Sequence, residues 1–243
     1  MSQVFKALKK AGVDVTQETR LRPSFVRPTE RVGHVPPTIA PPEYVRLYFA
    51  IEALRQQPDP YVIQFVSATR GEGTSTVAAN FARVAACERD NGILIVDCSS
   101  SAQVNRRGTE DATLIETYRG GHSLRQVLTD SRGVSDETFS VSIGRSRRSL
   151  LDIDSRGLTQ VLARAREEFS ITVMDCGAAG QDPQAAVLSK YCDGTVLVVQ
   201  AETSRRQVID AARKDIERHG GNVIGVVFNR RRFYIPDWFY RRL

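Results

Sequence analysis

From residue 61 onward the chain alternates short, almost wholly apolar segments with longer segments of helical periodicity. The apolar segments have strand length and are continuously hydrophobic, which is typical of strands buried on both faces. Strands that alternate with helices predict a parallel sheet covered by helices on both sides. We predict strands at 61–67, 93–97, 138–144, 171–175, 194–200 and 222–228, and helices at 43–57, 75–89, 122–130, 157–169, 183–191 and 204–220. The predicted fold class is therefore α/β, with a doubly wound, mostly parallel sheet.

The first predicted strand runs directly into a helix through a glycine-containing loop, SATRGEGTST (67–76). Gly71 and Gly73 allow backbone N–H groups of the loop to turn inward around an anion. The helix that follows presents its positive N-terminus to the same anion. A simple tight turn is the alternative, but the position between a strand and a helix is the context of a P-loop. The sequence therefore predicts a phosphate-binding loop of the P-loop nucleotide-binding type.

This loop departs from the usual P-loop pattern, G-x-x-x-x-G-K-[ST], at two positions. Ala68 stands at the first glycine, and Thr74 stands where the pattern has its lysine. Ser75 keeps the hydroxyl position that binds Mg²⁺. The candidate nucleotide-binding residues in the loop are Arg70, Gly71, Glu72, Gly73, Thr74, Ser75 and Thr76.

Two later strands end in an aspartate, Asp97 after ILIV and Asp175 after ITVM. A carboxylate at the end of a strand beside a phosphate loop can hold Mg²⁺ directly or through water. Capping of the following turn is the alternative for each residue alone. Together with the loop, these residues favour a metal site formed by Ser75, Asp97 and Asp175, with Asp97 also a weak catalytic candidate.

The chain divides by composition into three parts: residues 1–42, a domain at 43–229, and a tail at 230–243. The first part contains a short amphipathic segment and then a proline-rich linker, and the tail is basic and aromatic. The net charge of +6 is concentrated at the two ends, which suits anionic lipid, nucleic acid, an acidic partner or simple solvation. No segment reaches the about 18 to 20 apolar residues of a membrane helix, and the first ten residues lack the apolar core of a signal peptide. A cytoplasmic location is expected.

The four cysteines show no C-x-x-C spacing, and the three histidines are scattered. The thiols lie in or beside apolar segments, so we expect them to be buried structural residues.

The segment SATRGEGTSTVAANFA resembles the phosphate loop and first helix of the bacterial tyrosine kinases of exopolysaccharide and capsule export. That family belongs to the MinD/ParA branch of P-loop proteins. The resemblance continues through ILIVD, ITVMD, YCDGTVLVVQAETSRRQVIDA and NVIGVVFNR, and it is weakest across 99–160. It implies ATP or ADP and Mg²⁺ as ligands, and it implies that Asn229 contacts the adenine.

The same resemblance implies a membrane-embedded polysaccharide chain-length or export protein as partner, and a homo-oligomer as a possible assembly. The protein would then lie at the inner face of the cell membrane through its partner, and nucleic acid is not an expected partner. The family's E-x-x-R-x-x-R helix matches Glu43 and Arg46, but Phe49 replaces the last arginine. Glu43 and Arg46 are therefore candidate oligomer contacts, with a surface i,i+3 pair as the alternative.

Several departures from the family bear on activity. Thr74 removes the ammonium that bridges the β- and γ-phosphates, and loss of such a contact typically costs about 10²- to 10³-fold in rate. The family's D-x-D is here Asp97 followed by cysteine and serine, so one carboxylate is missing. Tyr234 and Tyr240 are the candidate phosphoacceptors in the tail, with aromatic packing as the alternative.

The sequence thus predicts a degenerate tyrosine-kinase-like protein that binds ATP or ADP, has weak or absent turnover, and regulates exopolysaccharide production. An active tyrosine autokinase is one alternative, in which Arg70 supplies the missing charge. A MinD/ParA-like positioning ATPase is another, although Thr69 stands where that branch has its signature lysine.

Overall fold

The computed structural model describes residues 41–98, 120–121, 123–125, 138–142 and 155–231. Within these ranges the strands are β1 Tyr61–Ser67, β2 Ile93–Asp97, β3 Thr138–Ser142, β4 Ile171–Ala178, β5 Gly194–Gln200 and β6 Val223–Asn229. The helices are α1 Pro42–Leu54, α2 Thr74–Glu88, α3 Ser155–Glu168, α4 Pro183–Leu188 and α5 Arg206–Arg218, with a 3₁₀ turn at Ser189–Tyr191. The predicted amphipathic segment, most of the linker, Tyr234 and Tyr240 lie outside the described residues.

The six strands form one sheet in the order β3-β2-β4-β1-β5-β6, and every neighbouring pair is parallel. This confirms the predicted doubly wound α/β class. From β1 the chain moves to one side of the sheet for β2 and β3, and it returns through β4 before crossing to β5 and β6. The carboxyl end of β1 therefore lies where the strand order reverses, which is the usual ligand position in such sheets.

Both faces of the sheet are covered, as the continuous apolar strands predicted. All seven residues of β1 are buried. On one face, helices α1 and α2 pack through Tyr48, Ile51 and Phe81. On the other face, α3, α4 and α5 pack onto a second cluster that includes Leu162 and Ile216. The central strand is thus held between two layers of helices.

The expectation of buried cysteines is wrong for Cys87, which is exposed, and Cys192 is only half-buried. Cys87 lies in the last turn of α2 with its side chain on the solvent side, although the helix as a whole is apolar. Cys98 and Cys176 are buried as expected. Among the described helices, none combines the length and the apolar character that crossing a bilayer requires.

Candidate nucleotide-binding site

The loop between β1 and α2 has the backbone conformation that its glycines predicted. Gly71 and Gly73 adopt φ angles of 87° and 91°, in the left-handed region that favours glycine. The helix begins at Thr74, and Val77 N donates to Gly73 O over 3.0 Å as its first helical hydrogen bond. The free N–H groups of the first turn of α2 therefore follow directly after the loop, which is the geometry of an anion-binding helix start.

Asn229, at the end of β6, closes the loop from the side. Its Nδ2 donates to the backbone oxygen of Glu72 over 2.8 Å. A Cβ atom built on Gly73 would lie 2.2 Å from the same Nδ2. Glycine is therefore required at 73 for steric as well as conformational reasons. The predicted adenine contact of Asn229 stays a prediction, and the structure adds a second role for this side chain.

The side chain of Glu72 points into the protein and is 2% exposed. Its Oε2 accepts a hydrogen bond from Thr69 N over 2.7 Å. Its Oε1 accepts from Gln200 N over 3.3 Å and from the Ser204 hydroxyl. The sequence predicted Glu72 as one of the nucleotide-binding residues of the loop. It did not predict these buried side-chain contacts, because Gln200 and Ser204 are about 130 positions away and no local pattern shows them.

The structure brings the three predicted metal ligands together, two from the neighbouring strands β2 and β4 and one from the first turn of α2. Asp97 and Asp175 are direct register partners in β2 and β4. The Ser75 hydroxyl donates to the Asp175 carboxylate. Burial raises the pKa of Asp175 to about 6, with a smaller contribution from the charge of Asp97, and the Ser75 hydrogen bond opposes both. The arrangement is a half-buried pair of carboxylates beside a hydroxyl, a set of oxygen ligands suited to Mg²⁺.

The remaining loop residues differ in exposure. Thr74 is 8% exposed and brings a neutral hydroxyl to the position where the pattern has an ammonium. Ser75 and Thr76, in the first turn of α2, are exposed, as is Arg70 in the loop.

Within the described ranges, no group of three or more His, Cys, Asp or Glu side chains is close enough to hold a metal ion. A metal here would depend on two carboxylates, one hydroxyl and the ligand's own oxygens.

An open cavity of about 250 Å³ lies at the carboxyl ends of β5 and β6, next to Asn229. It is lined by Gln200, Ala201, Glu202, Thr203 and Arg230. Glu43 and Arg46 are exposed on α1, outside this region. The candidate site therefore consists of the loop and the two aspartates, and the lining of the cavity includes none of these residues.

Comparisons with known proteins agree with this geometry. No protein-family model matches the chain. A tyrosine-protein kinase CpsD of Streptococcus pneumoniae is 25% identical over 173 residues, which covers 70% of this chain and 75% of the relative. A CpsD of Streptococcus agalactiae is 23% identical over 180 residues, with 70% and 75% covered.

Among solved structures, the kinase domain of the Escherichia coli tyrosine kinase ETK has a TM-score of 0.61 at 18% identity and covers 86% of each chain. The chain is thus similar to bacterial tyrosine kinases, as its sequence motifs predicted. The chimerical protein CapA2B2 is also similar, with a TM-score of 0.62 at 21% identity, covering 76% of this chain and 84% of the other. MinD of Aquifex aeolicus shares the fold, with a TM-score of 0.52 at 18% identity and coverage of 75% and 72%. The chain thus has the MinD-like fold expected from its sequence, on a loop without the usual lysine.

Proposed function

We propose that this chain is a degenerate bacterial tyrosine kinase that binds ATP or ADP with Mg²⁺ and regulates polysaccharide production or export. The observation that carries the proposal is the meeting of Ser75, Asp97 and Asp175 beside a glycine loop whose lysine position holds Thr74. The glycine loop, the start of α2 and three oxygen groups suited to a metal are present, although one carboxylate of the family's D-x-D is missing. The part that supplies positive charge for phosphoryl transfer is absent from its usual position.

The residues fit the implied ligands. The left-handed glycines and the start of α2 suit the phosphates of a nucleotide, because backbone N–H groups there have no helical partner. Ser75, Asp97 and Asp175 would hold Mg²⁺, which neutralises phosphate charge when it is bound. Asn229 and the adjacent cavity would take the base side of the nucleotide.

Replacement of lysine by threonine affects binding and catalysis differently. An ammonium at this position stabilises charge that develops on the transferred phosphoryl group, and a hydroxyl does not. The backbone contacts to the β-phosphate do not depend on that side chain. We therefore infer that nucleotide binding persists while turnover is weak or absent, so that the output is a nucleotide-dependent surface for a membrane-embedded partner.

The first experiment compares wild-type protein with Thr74→Lys and Arg70→Ala. Each is incubated with ATP and Mg²⁺, ADP release is followed, and phosphate on Tyr234 and Tyr240 is quantified by mass spectrometry. Wild type should show no stoichiometric tyrosine phosphate, and Thr74→Lys should release ADP roughly 10²-fold faster. Stoichiometric labelling of wild type would overturn the regulatory proposal. If wild type is labelled and Arg70→Ala is not, the autokinase alternative is established, with Arg70 supplying the missing charge.

The oligomer part of the proposal rests on α1. Glu43, Arg46 and Phe49 are all exposed on this helix at intervals of three residues, and Phe49 is 54% exposed. If α1 is an interface between copies, Arg46→Glu should shift the sedimentation of the protein to the monomer, whereas Lys214→Glu on α5 should not. Equal sedimentation of all three proteins would assign Glu43 and Arg46 to the surface-pair alternative.

A further inference from the structure

We propose that Glu72 is a positioning residue that holds the phosphate loop in its binding conformation before any nucleotide arrives. This inference rests on the proposed nucleotide-binding function of the same loop. The carboxylate connects the loop to the β5–α5 connection, so that the loop and this connection act as one unit. We define the Glu72 latch as the side chain of Glu72 with its three donors, Thr69 N, Gln200 N and the Ser204 hydroxyl.

The first argument is burial. Glu72 is 2% exposed, yet among the described residues no ion pair involves it. A buried carboxylate is strongly unfavourable unless hydrogen-bond donors satisfy its oxygens. Here both oxygens are satisfied, by Thr69 N at 2.7 Å on one side and by Gln200 N at 3.3 Å with the Ser204 hydroxyl on the other. The hydrogen bonds therefore hold these three donors in fixed positions around the carboxylate.

The second argument is connectivity. Thr69 and Glu72 are both in the loop, so the 2.7 Å hydrogen bond closes the loop on itself. Gln200 ends β5, and Ser204 lies just before α5. The ring continues because Ala201 N donates to Asn229 O over 2.9 Å and Asn229 Nδ2 donates to Glu72 O over 2.8 Å. The loop, β5 and β6 are thus joined by a closed set of hydrogen bonds with Glu72 at its centre.

The third argument concerns the missing lysine. In a loop without the ammonium, the phosphates depend on the backbone N–H groups of Gly73 to Thr76 being already oriented. A preorganised loop loses less conformational entropy on binding than a mobile one. The Glu72 latch supplies this preorganisation from inside the fold, and it transmits movement of the β5–α5 connection to the phosphate site.

The test compares nucleotide-free wild type with Glu72→Gln, which has nearly the same shape but replaces one carboxylate oxygen by an NH₂ group facing donors. Amide hydrogen exchange is measured at Thr69 and Gln200, and at Ile63 and Val66 inside β1 as internal references. Glu167→Gln on α3, whose side chain is 69% exposed, is the matched control for loss of one negative charge. ADP affinity with Mg²⁺ is measured for each protein.

We expect exchange at Thr69 and Gln200 to be at least about tenfold faster in Glu72→Gln, while Ile63 and Val66 are unchanged. ADP affinity should fall about 10- to 100-fold in Glu72→Gln and stay unchanged in Glu167→Gln. Ser204→Ala should weaken affinity by itself but add nothing in the Glu72→Gln background, because it acts through the same carboxylate.

If Thr69 and Gln200 exchange in Glu72→Gln at the same rates as in wild type, the proposed role of the Glu72 latch is wrong. A side chain that only fills space can be replaced by glutamine without such a change. If the effects of Ser204→Ala and Glu72→Gln on ADP affinity are additive, Ser204 does not act through the Glu72 carboxylate, and the latch is also contradicted. If wild type itself does not bind ADP, the proposed nucleotide function fails, and the exchange rates still decide whether the latch exists.

Discussion

At the scale of single residues, Asp175 shows how a buried carboxylate can oppose folding. Its pKa is raised to about 6, chiefly by burial, so the folded protein binds this proton more tightly than the unfolded chain does. A raised carboxyl pKa means that the contribution to stability is lost as pH increases from about 4 to about 6. The difference between about 6 and the ordinary value of 3.8 corresponds to about 3 kcal/mol at neutral pH.

We therefore predict that Asp175→Asn increases the free energy of unfolding of the nucleotide-free protein at pH 8 by about 1 to 3 kcal/mol. The amide keeps the shape and can still accept from Ser75, but it carries no buried charge. The gain should disappear near pH 4, where the wild-type carboxyl is protonated in the folded state. Urea unfolding of both proteins across this pH range measures it. If the variant is no more stable than wild type at pH 8, burial of the ionised Asp175 carboxylate does not lower the stability of the protein.

Gly73 and Gly71 provide a second residue-scale prediction, because their φ angles are similar but their surroundings differ. Both have positive φ, but a Cβ at Gly73 meets Asn229 Nδ2 whereas a Cβ at Gly71 has nothing within 4 Å. Gly71→Ala should lower stability by about 1 to 2 kcal/mol through backbone strain alone. Gly73→Ala should lower stability further and should abolish ADP binding by displacing Asn229. Thermal unfolding and nucleotide titration compare the two, and equal effects would remove the argument that Asn229 closes the loop.

The roles of some site residues could be predicted from the sequence, and those of others could not. The glycine spacing and the strand-terminal aspartates indicated the positions that the structure brings together, because both signals are local. The buried role of Glu72 and the contact of Asn229 with Gly73 could not be predicted, since each depends on partners more than 120 positions away.

At the scale of elements, a cluster of ionic contacts fixes α1 and α2 at the end of the sheet opposite the site. Arg89, which follows α2, contacts Glu52 of α1 at 2.6 Å and Asp59 at 2.5 Å. The Tyr61 hydroxyl, at the start of β1, donates to Glu52 over 2.9 Å. Tyr61 is buried, and Glu52 and Arg89 are half-buried, so their contacts are less screened by solvent than surface pairs are.

We predict that Arg89→Met lowers the free energy of unfolding by about 2 kcal/mol, because it leaves Glu52 partly buried with fewer partners. The matched control is Arg206→Met, which breaks an exposed i,i+4 pair with Asp210 and should change stability by less than about 0.5 kcal/mol. Urea unfolding measures both. ADP affinity should be unchanged in either variant, because both pairs lie away from the loop, and equal stabilities would contradict a structural role for Arg89.

The elements themselves were largely predictable, and the exceptions have a physical cause. The bounds of β1, β2 and β5 match the sequence prediction because apolar runs end sharply at polar residues. Strand β4 continues to Ala178, beyond the predicted end at Asp175. Small residues there gave no strand signal, but Cys98 N donates to Asp175 O and Ala179 N donates to Ser67 O, so pairing with neighbours extends the strand.

At the scale of the whole molecule, the strand order places all the candidate binding groups at one edge of the sheet. Strands β1, β2 and β4 contribute the loop and the two aspartates, and β5 and β6 contribute Gln200 and Asn229. The alternation of strands and helices predicted a parallel sheet, and parallel strands necessarily bring their carboxyl ends to the same edge. The strand order itself came from the structure, because a pattern of elements fits more than one order.

The central claim, that a phosphate loop without its lysine still binds nucleotide, is tested most directly by calorimetric titration of the nucleotide-free wild-type protein. ATP and ADP are each titrated with and without Mg²⁺, and Asp175→Asn is titrated in parallel. The account predicts saturable binding of both nucleotides with Mg²⁺, weaker binding without it, and loss of the Mg²⁺ effect in Asp175→Asn. A folded wild-type protein that binds neither nucleotide in the presence of Mg²⁺ would contradict it.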